Sequence, residues 1–209
     1  MKALREFFTR VGLWIMLGLT LTATTSAITN KIDLGLSGLT MFFCSIIGVI
    51  ISVILINSLR YKRAIIGFLL LSITLGLFIS PILRGVENDV ILNVSILVTL
   101  ITLLMSISGL MFPKFYSKIS GILCITSIIC FIVFPILHFY IPSLNLTIWD
   151  YLVSGFFALN IGYETSKGSK GDLDKISAIR VATNLYVSSI MLFAKIINLY
   201  SDAKSKVAM

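Results

Sequence analysis

Apolar residues run along this chain in long blocks separated by short polar connections. Crossing a hydrocarbon core of about 30 Å takes roughly 20 residues of helix. Six segments meet that length: Val11–Thr29, Leu36–Asn57, Ala64–Leu83, Val90–Phe112, Ile119–Ile141 and Thr147–Thr165. A seventh, Ile176–Tyr200, is apolar but interrupted by Arg180, Asn184, Ser188, Met191, Lys195 and Asn198 at steps of four, four, three, four and three. That spacing sets them on one stripe of a helix. A charge at the centre of a lipid-facing helix costs at least about 2.5–3.5 kcal/mol on insertion scales. The stripe is therefore expected to turn away from lipid, with the other helices enclosing the last span. In the rival arrangement Arg180 and Lys195 sit near the two helix ends and snorkel to the headgroups, which explains Asn184 and Ser188 poorly. The pattern predicts an all-α integral membrane protein, a single seven-helix bundle over residues 1–209 with a polar central last helix.

Polar residues within a bundle usually mark a permeation or proton pathway. On that ground Arg180, Asn184, Lys195 and Asn198, joined by Asn160 on the sixth span, are candidate pore-lining residues. Asn160 and Glu164 stand four apart near one end of the sixth span, and Asp150 lies near its other end. Ser154, Ala158 and Gly162 form a small-xxx-small ridge that permits close helix contact. Arg60, at the same end of the second span as Glu164 occupies in the sixth, is the candidate counter-ion. An interfacial Glu in headgroup water is the plainer reading. Connections are short except for "SKGSKGDLDK", which reads as a Gly-rich polar loop. Within it, Asp172 and Asp174 are placed to cap the last span. Pro81 and Pro135 lie late in spans three and five, where they kink a helix or mark its end.

Composition agrees with the pattern. The chain of 209 residues is 57% hydrophobic and 12% charged, with a mean hydropathy of +1.03. A water-soluble exterior does not accommodate that much apolar surface. The net charge of +8 belongs to short loops rather than to a nucleic-acid surface. Eleven basic residues (Lys2, Arg5, Arg10, Arg60, Lys62, Arg63, Lys114, Lys118, Lys167, Lys170 and Lys175) alternate onto one side, and four (Lys31, Arg84, Lys204 and Lys206) onto the other. By the positive-inside rule the amino terminus is cytoplasmic. The membrane is then the inner membrane in a bacterium, or the endoplasmic reticulum or another internal membrane in a eukaryote. A cleaved signal peptide over the first span is the rival reading of "MKALREFFTR" and "TTSA".

Aromatic anchors cluster at His138, Phe139, Tyr140, Trp149 and Tyr151, where spans five and six meet the opposite interface. Cys44, Cys124 and Cys130 fall inside apolar runs and read as small buried hydrophobes. No phosphate loop, nucleophile elbow or metal-ligand cluster stands out, so neither an enzyme nor a resident metal or cofactor is expected. A retinal protein using Lys195 lacks a counter-ion in span three.

The order of several segments resembles the transmembrane Bax inhibitor motif family, also called the Bax inhibitor-1 family. "LREFFTRVGLWIMLGLTLTATTSAI" is similar to its first span. "LRYKRAIIGFLLLSITLGLFISPIL" looks like its basic link into span three, closing on Ser80, Pro81 and Ile82. "GYETS" stands at the place of its Tyr-Asp motif, and "ATNLYVSSIMLF" resembles its Leu-Tyr-Leu-Asp segment. The resemblance implies seven helices with the last wrapped by the other six, a pH-sensitive calcium leak, and a link to cell-death suppression in eukaryotic members. It also implies two carboxylates, on spans six and seven, sharing a proton beneath an Arg latch from span two.

Residue by residue, Glu164 takes the first carboxylate position, Arg60 the latch and Ser188 the place of the second carboxylate. The basic-Asp-Leu-Ser pattern opening span five becomes Lys118, Ile119 and Ser120. Two close carboxylates titrate as a coupled pair, and Ser188 removes that coupling. Glu164 is expected to remain charged and paired with Arg60 near neutral pH, with gating weakened or moved to lower pH. Losing a carboxylate also weakens any cation site, since calcium takes several oxygen ligands. A non-conducting regulator that binds other membrane proteins, and a small secondary transporter, are the competing functions. Paired broken helices would favour the transporter, and no convincing inverted repeat is visible.

Overall fold

The computed structural model describes residues 2–31, 38–123, 125–126 and 147–207, and every regular element among them is an α-helix. These are α1 (Lys2–Lys31), α2 (Gly38–Ile56), α3 (Tyr61–Leu83), α4 (Asn88–Met111), a helical stretch at 113–123 (α5), α6 (Thr147–Lys170) and α7 (Lys175–Val207). Each expected span falls on one helix over the described residues. The rest of the expected fifth span, with Cys124, Cys130, Pro135, His138, Phe139 and Tyr140, lies outside them, as does the side chain of Trp149. Pro81 sits in the last turn of α3, which ends at Leu83, so it marks a helix end.

The Gly-rich loop expected before the last span is a correction. α6 runs on to Lys170 and leaves only 171–174 as the connection. Tertiary packing carries the helix through Gly168: a Cβ there would lie 3.0 Å from Val181 Cγ1 and 3.7 Å from the Phe7 ring. A methyl group there would require the Val181 side chain to give by a few tenths of an ångström, so a small residue suits this close approach.

Among the described residues, four helical segments are long and apolar enough to cross a membrane: Lys2–Lys31, Tyr61–Leu83, Asn88–Met111 and Lys175–Tyr200. Cys44–Ile56 forms a shorter apolar helix. Their open surfaces are apolar too: Ile50, Ile54, Leu100, Leu103, Leu104 and Ile107 are all exposed. Such faces meet acyl chains in a membrane helix, so an apolar run does not imply protein burial. Cys44 illustrates this, being exposed rather than buried as its neighbours suggested. The last span is the most enclosed: 61% of its apolar window is buried, against 50% for α3, 22% for α1 and 17% for α4.

The chain packs as two compact units. The first holds residues 1–87 and 168–187. There α3 packs against both α1 and α2. Gly67 lies where a Cβ would stand 2.8 Å from the Ser52 carbonyl oxygen, and Gly76 where one would stand 2.9 Å from the Thr22 carbonyl oxygen. Two glycines about two and a half turns apart thus admit two neighbouring backbones on opposite faces of α3, as small residues do in membrane helices. Phe68, Leu71 and Leu75 on α3, with Ile179 and Tyr186 on α7, form the buried centre.

The second unit holds residues 88–167 and 188–209. Gly109 of α4 abuts the backbone of Gly162 on α6, and Gly162 in turn abuts the Tyr116 ring. Gly162 of the expected small-residue ridge therefore makes a close helix crossing.

Candidate functional site

The polar groups of the second unit converge on α6 and α7. Lys195 Nζ lies 2.7 Å from Asp150 Oδ1, with the two side chains only 16% and 7% exposed. The residues stand equal distances along the chain from the centre of the 171–174 turn, so an antiparallel hairpin brings them to one level. Nearly three turns further along α6, Asn160 Nδ2 donates to Ser188 Oγ at 2.9 Å. Glu164 follows one turn later and is buried at 7% exposure. Among the described residues no hydrogen bond or ion pair involves its carboxylate, and Ser188 is bonded to Asn160 instead. Ser154, one turn from Asp150, has a buried hydroxyl with no hydrogen-bond partner among the described residues.

α4 supplies hydroxyls to the same unit. Thr102 and Ser189 lie 3.3 Å apart, Thr165 Oγ1 donates to Ser106 Oγ at 3.4 Å, and Ser108 and Tyr116 lie 3.0 Å apart. Thr102, Ser106 and Gly109 fall at i, i+4 and i+7, one face of α4. Those three contacts were not anticipated from the sequence, although the spacing carries the signal. The Asp150–Lys195 pair carries no local sequence signal either: Lys195 reads as pore-lining from its stripe, and Asp150 has no basic residue near it in sequence. A hydrocarbon-embedded helix must satisfy its polar groups internally. α6 does so for Asp150, Asn160 and Thr165 but not, among the described residues, for Ser154 or Glu164, and it is not among the four segments long and apolar enough to cross a membrane.

In the first unit, Arg180 Nη2 donates to the carbonyls of Asn57 and Ser58 at 3.1 and 3.4 Å, and Nε to that of Ile56 at 3.5 Å. The carbonyls left unpaired at the end of α2 receive a cation, which the helix dipole favours. Asn184 is exposed, while Tyr186 is fully buried and hydrogen-bonded to the Thr22 hydroxyl. Thr22 also donates to the Ser72 carbonyl at 3.0 Å. Arg60 is exposed and opens α3 in an extended conformation, its backbone N–H donating to Ser58 Oγ at 3.2 Å. Met191 and Asn198 are half-buried.

At the start of α7, Asp174 Oδ1 accepts from the Ser177 N–H at 2.7 Å. The hydrogen bonds from Ser177 hold the Asp174 carboxyl below the usual Asp value, and Arg180 adds to the effect. Asp174 is the cap of the two acids expected there, and Asp172 stays exposed in the connection.

No curated protein matches the chain. Residues 4–205 match the profile of a protein family described as "Inhibitor of apoptosis-promoting Bax1". The match takes in almost every residue of both units, including Glu164, Ser188 and Arg60. A helical, lipid-suited chain with a buried acid late in α6 and a polar, enclosed last helix, it is a multi-pass membrane protein belonging to the Bax inhibitor family.

Proposed function

We propose that this Bax-inhibitor-type membrane protein is a cation leak, with calcium as the permeant ion and a weakened response to pH. The observation that carries the reading is the buried Glu164 carboxylate, which lies in the same compact unit as Ser188, Asn160 and the Asp150–Lys195 pair. A carboxylate at that depth is costly to keep, and polar groups inside spans usually serve transport. Ser188 stands where the family resemblance implies a second acid, so the like-charge coupling that spreads two titrations is missing. Arg60, exposed at the start of α3 and joined to Glu164 by no ion pair among the described residues, is the candidate latch by the family resemblance alone, and the amino terminus is cytoplasmic.

Calcium flux from purified protein in liposomes, followed from about pH 6 to about pH 8, tests the proposal. The expected result is measurable flux with a shallow pH dependence, reduced in Glu164→Gln and altered in Arg60→Gln. A steep response of the kind an intact acid pair gives would overturn the weakened gating. No flux at any pH favours the second reading, a non-conducting regulator that works by binding other membrane proteins. The substitution of Ser188 for an acid, with its hydroxyl bonded to Asn160, is the feature that supports it.

A further inference from the structure

We propose that a cleft in the first unit, at the common end of α1, α3 and α7, binds the phosphate headgroup of an anionic glycerophospholipid. The cleft has a volume of about 320 Å³ and is lined by Arg10, Leu13, Trp14, Leu17, Tyr61 and Lys175. Its chemistry is divided. Arg10, Leu13, Trp14 and Leu17 fall at i, i+3, i+4 and i+7, one face of α1. From the guanidinium position to Leu17 the helix advances about 10 Å toward the middle of the span. One end of the cleft is therefore cationic, carrying Arg10 and Lys175 beside the Tyr61 phenol, and the remaining wall is apolar.

No acid lines this cleft, and among the described residues no hydrogen bond or ion pair involves the side chains of Arg10 or Lys175. Asp174, next to Lys175 in the chain, is bonded to the Ser177 N–H. Two cations thus face an open space with their counter-charge missing. A guanidinium offers phosphate a planar pair of donors and an ammonium adds a point charge. Leu13 and Leu17 are 62% and 41% exposed, and the Trp14 ring is braced edge-on against Phe68, 5.3 Å between centroids. A free phosphate ion would leave that wall uncovered. A phospholipid covers it with its glycerol and first acyl carbons, and its chains continue into the bilayer beside α1.

The site is tested with the full chain in vesicles, using Trp14 as reporter in a Trp149→Phe background, since the chain has 2 tryptophans. Brominated phosphatidylglycerol is compared with brominated phosphatidylcholine at equal mole fraction. The expected result is preferential quenching of Trp14 by the anionic lipid, corresponding to about thirtyfold tighter association from two basic groups. Arg10→Gln with Lys175→Gln removes the preference. Lys62→Gln with Arg63→Gln deletes the same charge outside the cleft and retains it. Equal quenching by the two lipids overturns the proposal, as does equal loss of preference in both double variants, which describes a diffuse basic surface. Relief of quenching by inorganic phosphate also overturns it, in favour of a free-anion site.

Discussion

In the first compact unit α7 is held by neutral hydroxyls, Tyr186 to Thr22, and by a guanidinium on the end carbonyls of α2; in the second it is held by a buried carboxylate–ammonium pair and an amide–hydroxyl bond to α6. Interhelical hydrogen bonds between neutral groups in membranes contribute about 0.6 kcal/mol on average. Breaking one side of a buried ion pair costs about 3–5 kcal/mol, because the remaining charge is stranded. The first half of α7 is thus anchored inside the bundle by neutral hydroxyls and by a guanidinium that stays protonated at any accessible pH, with the titratable Asp174 confined to its exposed start. The second half is anchored by groups whose balance ions and protons can disturb, and it shares its unit with the buried Glu164. One continuous helix carries both kinds of attachment.

The largest effect that sharpens this contrast is expected at Asp150 and Lys195. Lys195→Met alone should destabilise the protein in detergent by about 3–5 kcal/mol, and Asp150→Asn with Lys195→Met should recover most of that loss. Equal losses in the single and double variants would mean that the pair is not what fastens α7 in this unit. Gly109→Ala comes next. Its methyl group would collide with the Gly162 carbonyl, and relieving such overpacking costs about 1–3 kcal/mol, readable as a lowered Tm. In the first unit, Asp174→Ala should remove about 1 kcal/mol of capping. Because the folded-state value of Asp174 is lowered, its contribution is complete above the ordinary Asp value and is lost only as pH falls through the lowered one. A titration of Tm from neutral to strongly acidic pH in both proteins checks this. Tyr186→Phe should have the smallest cost, about 0.6 kcal/mol, and should leave transport unchanged.

Helix positions were legible because a bilayer demands long apolar runs, and Asp174 was legible because an acid before an apolar helix has one local use. The continuation of α6 to Lys170 was not, because Gly168 reads as a loop residue until Val181 and Phe7 pack against it. Spacing alone placed Arg180, Asn184 and Ser188 on one stripe but could not distinguish their surroundings. Arg180 caps α2, Asn184 is exposed and Ser188 is buried. The i, i+4, i+7 row of Thr102, Ser106 and Gly109 was visible in principle, hidden by its small side chains among larger apolar ones. Asp150 and Lys195 are 45 residues apart, and only the hairpin geometry joins them.

The central claim is that the α6–α7 half with Glu164 conducts and that Ser188 blunts its pH response. Its most direct test is calcium flux through Ser188→Asp in liposomes, compared with the natural chain. Restoring an acid opposite the α6 hairpin arm should steepen the pH dependence of flux while Tyr186→Phe leaves it unaltered. Unchanged pH dependence in Ser188→Asp, or an already steep response in the natural chain, would contradict the account.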